Sequence, residues 1–250
     1  MGKESRKTSE TSLLTLEAIC DLDSASLTEI AEYTGIPVST LHTHLQTLQQ
    51  MEYVIREDQE YKLGMKLFHL GEKARWRDDR YQLVKEKAWE LANRVGEEVN
   101  FAIEENNRMV IVFDETTAPS DEGFQVGRYF DLHSSACGKA ALAEFSDAKL
   151  ERFLECRELT AHTDNTITDR GDLRTELKTI QEQGYAVNKQ EELEGLRAIA
   201  VVINEPDGGV FGTLDISGPP YRLPDDEVTA KRLQSVVSEI ESALVSESES

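Results

Sequence analysis

Apolar residues recur at helical spacing three times in the first 50 residues, each time with polar residues on the other side. A first helix is predicted to follow Thr11 and Ser12, since either side chain can cap a helix N-terminus. Its apolar positions are Leu13, Leu16, Ile19 and Cys20. A second helix is predicted to begin at the capping box Ser26-Leu27-Thr28-Glu29 and to end at Gly35.

The third helix is predicted to begin near Pro37, with Leu41, Leu45 and Leu48 as its apolar face. Two short runs, 53–56 and 61–63, flank a polar tetrapeptide and predict a β-hairpin. Three helices followed by a hairpin are the plan of a winged helix-turn-helix domain. This order of elements, more than any single helix, carries the prediction.

The helical pattern continues from Met65 to Val95, and the charged stretch 75–80 marks a boundary within it. We therefore expect a winged helix-turn-helix domain over residues 1–64 and a linker helix over residues 65–79. A second domain would cover residues 80–245, and the polar, acidic segment 246–250 is expected to be a disordered tail.

The second domain alternates strands with helices. Strands are predicted over 99–104, 109–113, 124–130, 197–203 and 210–217, with hairpin turns at 106–107 and 206–209. Helices are predicted over 135–144, 147–156, 168–183 and 228–244. An antiparallel sheet with helices gives an α+β fold of the kind found in sensor modules.

The chain carries 48 acidic and 27 basic residues, a formal net charge of −21. Such acidity disfavours nucleic-acid binding, because phosphate contacts need Lys and Arg, and it is typical of a protein adapted to concentrated salt. The charge is uneven, since residues 1–77 hold 12 acidic and nine basic residues and residues 78–250 hold 36 and 18. The predicted winged-helix domain is therefore nearly neutral, and DNA remains open as its partner.

The three cysteines, Cys20, Cys137 and Cys156, form no CxxC pair, and the histidines lack the spacing of metal ligands. We expect no disulfide framework, no metal site and no cofactor. The apolar runs are far shorter than the roughly 20 residues that cross a bilayer, and the N-terminus lacks the apolar block of a signal peptide. These features predict a soluble, cytoplasmic protein with no membrane partner.

The polar face of the third helix is the first candidate site, since Gln, Ser and Thr side chains can contact base edges in a major groove. The helix has no Lys or Arg of its own. Phosphate contacts would come from cations outside it, namely Lys3, Arg6, Lys7, Arg56, Lys62 and Lys66. The candidate DNA-binding residues are Pro37, Val38, Ser39, Thr40, His42, Thr43, Gln46, Thr47, Arg56 and Lys62.

A second candidate is the run Leu132–Ala140, whose small residues open a helix and expose N–H groups to a carboxylate or hydroxyl. One alternative makes Cys137 a nucleophile activated by His133, although His133 precedes the expected helix cap. A third candidate is the strand 210–217. Its predicted faces are Val210, Gly212, Leu214 and Ile216 on one side and Phe211, Thr213, Asp215 and Ser217 on the other. The second face is either a wet face of the sheet or a pocket floor.

The chain resembles the IclR family of transcriptional regulators along essentially its whole length. In the N-terminal part the resemblance rests on 11–19, 26–31, 35–42 and 61–67. In the C-terminal part it rests on 132–143, 184–192, 195–200 and 216–219. These motifs are modest singly and specific in this order and spacing. With its acidity, the chain is similar to a haloarchaeal member of the family.

The resemblance implies a winged-helix DNA-binding domain, a helical linker and a GAF-like effector-binding domain. It also implies a homodimer or a tetramer that binds double-stranded operator DNA and a small metabolite, a sugar or an organic acid. By motif, the effector-binding residues would be Ala136, Cys137, Asn188, Ala198, Asp215 and Ser217. The chain departs from the family pattern at Thr43, Asn188, Ala198 and Asp215. An anionic Asp215 would repel a carboxylate, which favours a hydroxyl-rich ligand.

The predicted function is that of a DNA-binding transcriptional regulator, a repressor of metabolic genes controlled by a small-molecule effector, and not of an enzyme. Three alternatives stay open. The first is an activator of a sugar or carboxylate catabolic operon, and the second is a GAF-like thiol-dependent enzyme that uses Cys137. The third is a sensor that acts only through protein partners.

Overall fold

The computed structural model describes residues 7–117 and 126–248, without the side chains of residues 247 and 248. The chain divides into two compact units, Met1–Asp78 and Asp79–Ser250. Each unit has its own buried apolar cluster.

The N-terminal unit is a winged helix-turn-helix. Its elements are α1 (Lys7–Asp21), β1 (Ala25–Ser26), α2 (Leu27–Thr34), α3 (Val38–Gln50), β2 (Val54–Glu57), β3 (Glu60–Leu63) and α4 (Met65–Arg75). The strands form an antiparallel sheet in the order β1-β3-β2. The core lies between the helices and this sheet, with Ile19, Ile30, Leu41, Leu45 and Val54 at its centre.

The helix-turn-helix geometry follows from local signals in the sequence. The Ser26 hydroxyl accepts a hydrogen bond from the Glu29 amide while the Glu29 carboxylate accepts one from the Ser26 amide, which confirms the capping box. Gly35 ends α2 at φ +68°, a conformation that favours glycine. Leu41, Leu45 and Leu48 are the buried residues of α3, as their spacing predicts.

The first helix differs from its prediction. It begins at Lys7, and the Thr11 and Ser12 hydroxyls donate to carbonyl groups four residues earlier, so neither caps the N-terminus. The buried residues are Thr15, Ala18 and Ile19, whereas Leu13 is 59% exposed. Its apolar spacing therefore gave the helix but only part of the buried face.

The C-terminal unit contains a six-stranded antiparallel sheet with helices on both faces, and the α+β prediction is confirmed. Its elements are α5 (Tyr81–Val95), β4 (Glu98–Glu105), β5 (Arg108–Glu115), β6 (Tyr129–Asp131), α6 (Ala136–Ala143), α7 (Asp147–Cys156), α8 (Arg170–Gln183), β7 (Ala186–Lys189), β8 (Arg197–Asn204), β9 (Val210–Gly218) and α9 (Asp226–Ser248). The strand order is β6-β5-β4-β9-β8-β7.

The two faces of this sheet bury different partners. One face packs against α6. Residues of α7 and α8 belong to the same buried apolar cluster, together with the small side chains of Ala102, Ala198 and Ala200. The other face packs against α5 and α9. The small residues let α6 approach the sheet closely, which brings its first turn near the polar side chains of the central strands.

Three predictions for this unit need correction. The strand expected over 124–130 begins at Tyr129, and residues 124–125 lie outside the described residues. The short strand β7 was missed. Helix α9 continues through Ser248, so the expectation of a disordered tail is wrong for residues 246–248, while residues 249–250 are outside the described part of the chain.

The strand β9 has no wet face, because every residue from Phe211 to Gly218 is buried. The ladder with β8 skips Phe211, since Ile203 pairs with Gly212 and Asn204 pairs with Val210. Phe211 lies beside Tyr81 and Phe101, with ring centroids 5.6 and 5.9 Å apart. The irregularity therefore turns Phe211 to the face opposite Asp215, and its predicted placement beside Asp215 is wrong.

Candidate functional site

The exposed face of α3 is the candidate DNA-binding surface. Its core-facing leucines fix which side of the helix turns outward. All eight residues predicted at this helix are exposed: Pro37, Val38, Ser39, Thr40, His42, Thr43, Gln46 and Thr47. The helix contains no charged Lys, Arg, Asp or Glu side chain, so it presents an uncharged surface of hydroxyl, amide and imidazole groups.

Two hydroxyls on this face are already used within the helix. Thr43 Oγ1 donates to the Ser39 carbonyl at 3.3 Å, and Thr47 Oγ1 donates to the Thr43 carbonyl at 3.1 Å. Their oxygens remain able to accept a hydrogen bond and their methyl groups to contact thymine. His44 faces α1 instead, since its Nδ1 is 2.8 Å from Ser12 Oγ.

The hairpin β2–β3 carries two of the six predicted phosphate-binding cations, and both are engaged by neighbours. Arg56 is hydrogen-bonded to Gln59 and lies 5.4 Å from the Tyr61 ring centroid. Lys62 Nζ is 2.8 Å from Glu57 Oε2. Any phosphate contact by Lys62 must therefore compete with a carboxylate. Of the further cations, Lys3 and Arg6 lie outside the described residues, and Lys7 begins α1.

The second site is a polar cluster in the middle of the C-terminal sheet, formed by Glu98, Asn100, Asp114, Asp215 and Ser217. Asn100 on β4 is the cross-strand partner of Asp114 on β5 and of Asp215 on β9. Glu98 pairs in the same way with Ser217. Cross-strand partners share a face, and Ala200 and Ala198 pair with Asp215 and Ser217, so the polar cluster faces α6.

Hydrogen bonds connect this polar cluster. Asn100 Nδ2 donates to Asp215 Oδ1 at 3.1 Å and to Ser217 Oγ at 3.0 Å. Ser217 Oγ in turn donates to Glu98 Oε2 at 3.0 Å. Three buried acceptors have no hydrogen-bond partner in the described part of the chain: Asn100 Oδ1, Asp114 Oδ1 and Asp215 Oδ2.

The carboxyl groups of the polar cluster are strongly perturbed. Burial, reinforced by the charges of Glu98 and Asp114, raises the pKa of Asp215 from 3.8 to about 8, against the opposing hydrogen bond from Asn100. Burial and the charge of Glu98 raise the pKa of Asp114 to about 7. Perturbed carboxyl groups in a partly unsatisfied polar cluster are typical of a binding site.

The six predicted effector residues are distributed over α6, β7, β8 and β9. Asn188, Ala198 and Ser217 are successive cross-strand partners, and Asp215 is two residues from Ser217. Ala136 and Cys137 lie in the first turn of α6, where the charge of Asp215 contributes to the raised pKa of Cys137. Asn188 Nδ2 is a buried donor without a partner. The structure therefore joins these residues to the polar cluster.

Sequence reasoning missed Glu98, Asn100 and Asp114. The available signal was the alternation of β4, in which the polar residues Glu98 and Asn100 alternate with the apolar residues Val99 and Phe101. Their importance depends on pairing with β9, a strand more than 100 residues away, and the sequence alone does not give that pairing.

The proposed Cys137–His133 dyad is not formed. Cys137 Sγ is 3.5 Å from Ser135 Oγ, and burial raises the pKa of the thiol to about 12. His133 Nε2 is 3.0 Å from the Thr160 carbonyl, and burial lowers its pKa. Because the thiolate is the nucleophilic form, this environment does not suit a reactive cysteine.

Two general properties complete the description. Within the described residues, no group of three or more His, Cys, Asp or Glu side chains is arranged to hold a metal ion. The helices in residues 7–117 and 126–248 include none with the length and apolarity required to cross a membrane.

A winged helix-turn-helix unit in the same chain as a sheet domain with a buried, incompletely paired polar cluster defines an effector-responsive transcriptional regulator. Residues 13–58 match the family model described as the IclR helix-turn-helix domain. Residues 81–243 match the model described as the bacterial transcriptional regulator IclR C-terminal domain. The chain belongs to the IclR family of transcriptional regulators.

Individual relatives agree with this assignment. The HTH-type transcriptional regulator XynR of Escherichia coli is 31% identical over 211 residues, which cover 83% of this chain and 84% of XynR. The transcriptional repressor IclR of the same organism is 30% identical over 211 residues, or 82% and 77% of the two chains. The crystal structure of Thermotoga maritima IclR has a TM-score of 0.77 and 26% identity, over 95% of this chain and 98% of that one.

Proposed function

We propose that α3 is the recognition helix of this regulator and lies in the major groove of operator DNA. The exposed, uncharged polar face of α3 carries this proposal, because hydroxyl and amide groups at successive turns can read base edges. Gln46 is suited to adenine, and the methyl groups of Thr43 and Thr47 are suited to thymine. Pro37, Val38, Ser39, Thr40 and His42 complete the N-terminal part of the contact surface.

Arg56 and Lys62 would position the wing on the phosphate backbone. The wing also carries Glu57, Asp58 and Glu60, all exposed, so its acidic residues outnumber these two cations. Affinity then depends on base contacts more than on counterion release, which suits a protein adapted to strong salt. We also propose that the protein acts in the cytoplasm, together with the DNA that it binds.

The effector would bind between the polar cluster and the first turn of α6. The unpartnered atoms Asn100 Oδ1, Asp215 Oδ2 and Asn188 Nδ2 support this placement, since buried polar groups normally have partners and a ligand would supply them. Ala136, Cys137, Ala198 and Ser217 would line the same site. A bound metabolite, a sugar or an organic acid, would then control operator binding.

We infer a homodimer as the DNA-binding form, with a tetramer as the alternative. Large apolar side chains of the N-terminal unit are exposed, including Leu13 at 59%, Met65 at 75% and Phe68 at 61%. Helix α4 has no buried residue at all. Exposed apolar side chains on two helices are typical of surfaces that pair with another chain, and two copies would match a two-fold symmetric operator.

Repression is the proposed sign of regulation, and an activator is the alternative. Effector binding would shift the balance between arrangements of the two C-terminal units, and the linker helices would change the spacing of the recognition helices. The buried, high-pKa Cys137 thiol supports a regulator without enzymatic activity.

The test is fluorescence anisotropy of the full chain with DNA from upstream of its own gene, against a shuffled duplex, in high potassium. We expect specific binding that the double variant Gln46→Ala, Thr47→Ala abolishes and that Glu182→Ala, at an exposed position of α8, leaves unchanged. Equal affinity for both duplexes, or equal loss in both variants, would contradict α3 as the recognition helix. Absence of binding to either duplex would favour a sensor that acts through protein partners.

A further inference from the structure

The polar cluster consists mainly of carboxyl and amide groups, whose oxygen atoms outnumber its donors. Its three carboxyl groups belong to Glu98, Asp114 and Asp215, and Asn100 stands between the two aspartates. Neither Asp114 nor Asp215 forms an ion pair with a described residue. Lys139, the buried cation of α6, contacts Glu191 and Glu176 instead, with Nζ–O distances of 2.6 and 3.1 Å. Around Asp114 and Asp215, the described residues therefore offer a ligand acceptors and no compensating cation.

We propose that the effector of this chain is a polyhydroxylated molecule, a sugar or polyol, that presents hydroxyl groups and no carboxylate to the polar cluster. The proposal rests on the proposed function, in which this region is the effector site, and it names the class of ligand.

The buried polar atoms without hydrogen-bond partners favour a ligand with hydroxyl groups. Asn100 Oδ1, Asp114 Oδ1 and Asp215 Oδ2 need donors, whereas Asn188 Nδ2 needs an acceptor. Asn188 Oδ1 is occupied, since it accepts from the Glu191 amide at 2.7 Å. A hydroxyl donates and accepts at once, so adjacent hydroxyls can satisfy both kinds of atom. An ammonium group would satisfy the acceptors alone, and a carboxylate brings no donor for Asn100 Oδ1.

The polar cluster also disfavours a carboxylate at the same place. An anion there would meet like charges where the carboxyl groups are ionised, and it would lose its hydration in a buried site where they are protonated. The raised pKa values of Asp114 and Asp215 point the same way, because burial already disfavours one negative charge at each site. A protonated Asp215 could itself donate to a sugar oxygen, so the match to hydroxyl groups holds in either protonation state.

Calorimetric titration of the full chain with matched pairs tests the ligand class. Each pair is a pentose or hexose, or its alditol, and the aldonate of the same carbon skeleton, with the corresponding amino sugar as a third arm. We expect at least one neutral polyol to bind about tenfold or more tightly than its aldonate. Tighter or equal binding of the aldonate, binding of amino sugars alone, or no binding by any polyol would overturn the proposal.

Variants assign the selectivity to the polar cluster. Asp215→Ser is expected to weaken polyol binding and to narrow or reverse the difference in affinity between the polyol and the aldonate. Asp114→Asn is expected to act in the same direction. Asp164→Ser removes an exposed carboxylate of the same unit and should change neither affinity. Retention of the full polyol preference by both variants of the polar cluster would place the selectivity elsewhere and overturn the proposal.

The same ligands separate this proposal from the proposed function. Operator binding is measured with and without the tightest polyol and its aldonate. If a polyol binds with the expected selectivity but leaves operator affinity unchanged, the result contradicts the effector role and supports the proposed ligand class. If an aldonate binds through Asp215 and releases the operator, the result contradicts the proposed ligand class and supports the effector role.

Discussion

The buried ammonium of Lys139 contacts both carboxylate oxygens of Glu191, at 2.6 and 2.9 Å. Lys139 lies on α6, and Glu191 lies in the segment that follows β7, so the pair ties this segment to the helix. The Glu191 amide also donates to Asn188 Oδ1. The ion pair therefore holds the donor that faces the proposed effector site, although neither partner is a candidate for contact with the ligand.

Replacing Lys139 with Met should strongly destabilise the C-terminal unit, because it leaves the Glu191 carboxylate buried without its cation. Burial already raises the pKa of Glu191 despite the adjacent ammonium. Loss of one partner of a buried pair costs about 3–5 kcal/mol, whereas replacing both partners costs much less. Urea unfolding of Lys139→Met and of the double variant Lys139→Met, Glu191→Leu measures this difference.

An exposed ion pair provides the control for that measurement. Lys231 and Glu227 are one turn apart on α9, with side chains 69% and 73% exposed. Lys231→Met should leave the unfolding midpoint unchanged, since exposed pairs contribute little. If Lys139→Met were no more destabilising than Lys231→Met, the Lys139–Glu191 pair would not stabilise the contact between α6 and the segment that follows β7.

Substitution of Gly138 in α6 tests how closely this helix approaches its neighbours. A Cβ atom at Gly138 would lie 2.5 Å from the Cα and carbonyl oxygen of Leu132, and backbone cannot move aside cheaply. Gly138→Ala should therefore cost about 1–3 kcal/mol, the range for overpacking. Differential scanning calorimetry of the full chain measures the loss.

Gly71 in the interior of α4 is the matched control, because a Cβ there meets nothing within 4 Å. Gly71→Ala should stabilise the chain by about 0.5–1 kcal/mol, since glycine in a helix interior carries a larger entropy cost than alanine. Opposite signs for the same substitution in two helices would confirm the close approach of α6. Stabilisation by both variants would show that the Leu132 backbone yields.

The fold and the site differ in how far the sequence predicts them. The capping box at Ser26 and the leucines of α3 are local signals, and both give the right structure. The place of Phe211 depends on an irregular register between β8 and β9, which no period-two pattern shows. Two of the five residues of the polar cluster are predicted from the sequence, because the other three depend on strand pairing. Asp215 and Ser217 lie in a recognisable motif, whereas Asn100 and Asp114 join them only through strand pairing.

Stability should fall as pH rises through neutrality because of Asp215. Its pKa is near 3.8 in the unfolded chain and about 8 in the folded one. Between these values the folded state holds the additional proton, so each rise in pH favours unfolding. Asp215→Asn removes this contribution and should be the more stable variant at pH 8. The unfolding free energy of the parent should fall with pH more steeply than that of Asp215→Asn, by up to about 1.4 kcal/mol per pH unit.

Urea unfolding at several values between pH 5 and pH 8 measures this slope in the ligand-free chain. Asp164→Asn, which removes an exposed carboxyl, should reproduce the parent slope. Parallel pH profiles for Asp215→Asn and the parent would mean that Asp215 is ionised in the folded chain across this range.

Alkylation should distinguish the three cysteines. Cys20 and Cys156 are exposed, whereas Cys137 is buried with its pKa raised to about 12. Iodoacetamide at neutral pH should therefore modify Cys20 and Cys156 and leave Cys137 intact, as read by peptide mass spectrometry. Cys137→Ser should keep operator binding. Preferential alkylation of Cys137 would restore the case for a thiol-dependent activity.

Substitutions on α3 and on the wing should affect DNA binding in different ways. Gln46→Ala removes an uncharged side chain from the proposed base-reading face and should cost about 1–3 kcal/mol on the operator alone. Arg56→Ala removes a proposed phosphate contact and should weaken all sequences alike. It should also reduce the slope of log affinity against log salt by about one.

Anisotropy titrations over a range of potassium concentrations measure both quantities, with each variant serving as the control for the other. The Arg56 guanidinium lies over the Tyr61 ring, so its removal takes one cation from the wing and leaves the buried strand contacts of Tyr61 in place. A slope unchanged by Arg56→Ala would mean that its guanidinium makes no phosphate contact. A salt slope reduced by Gln46→Ala would contradict an uncharged base-reading face, because that side chain releases no counterion.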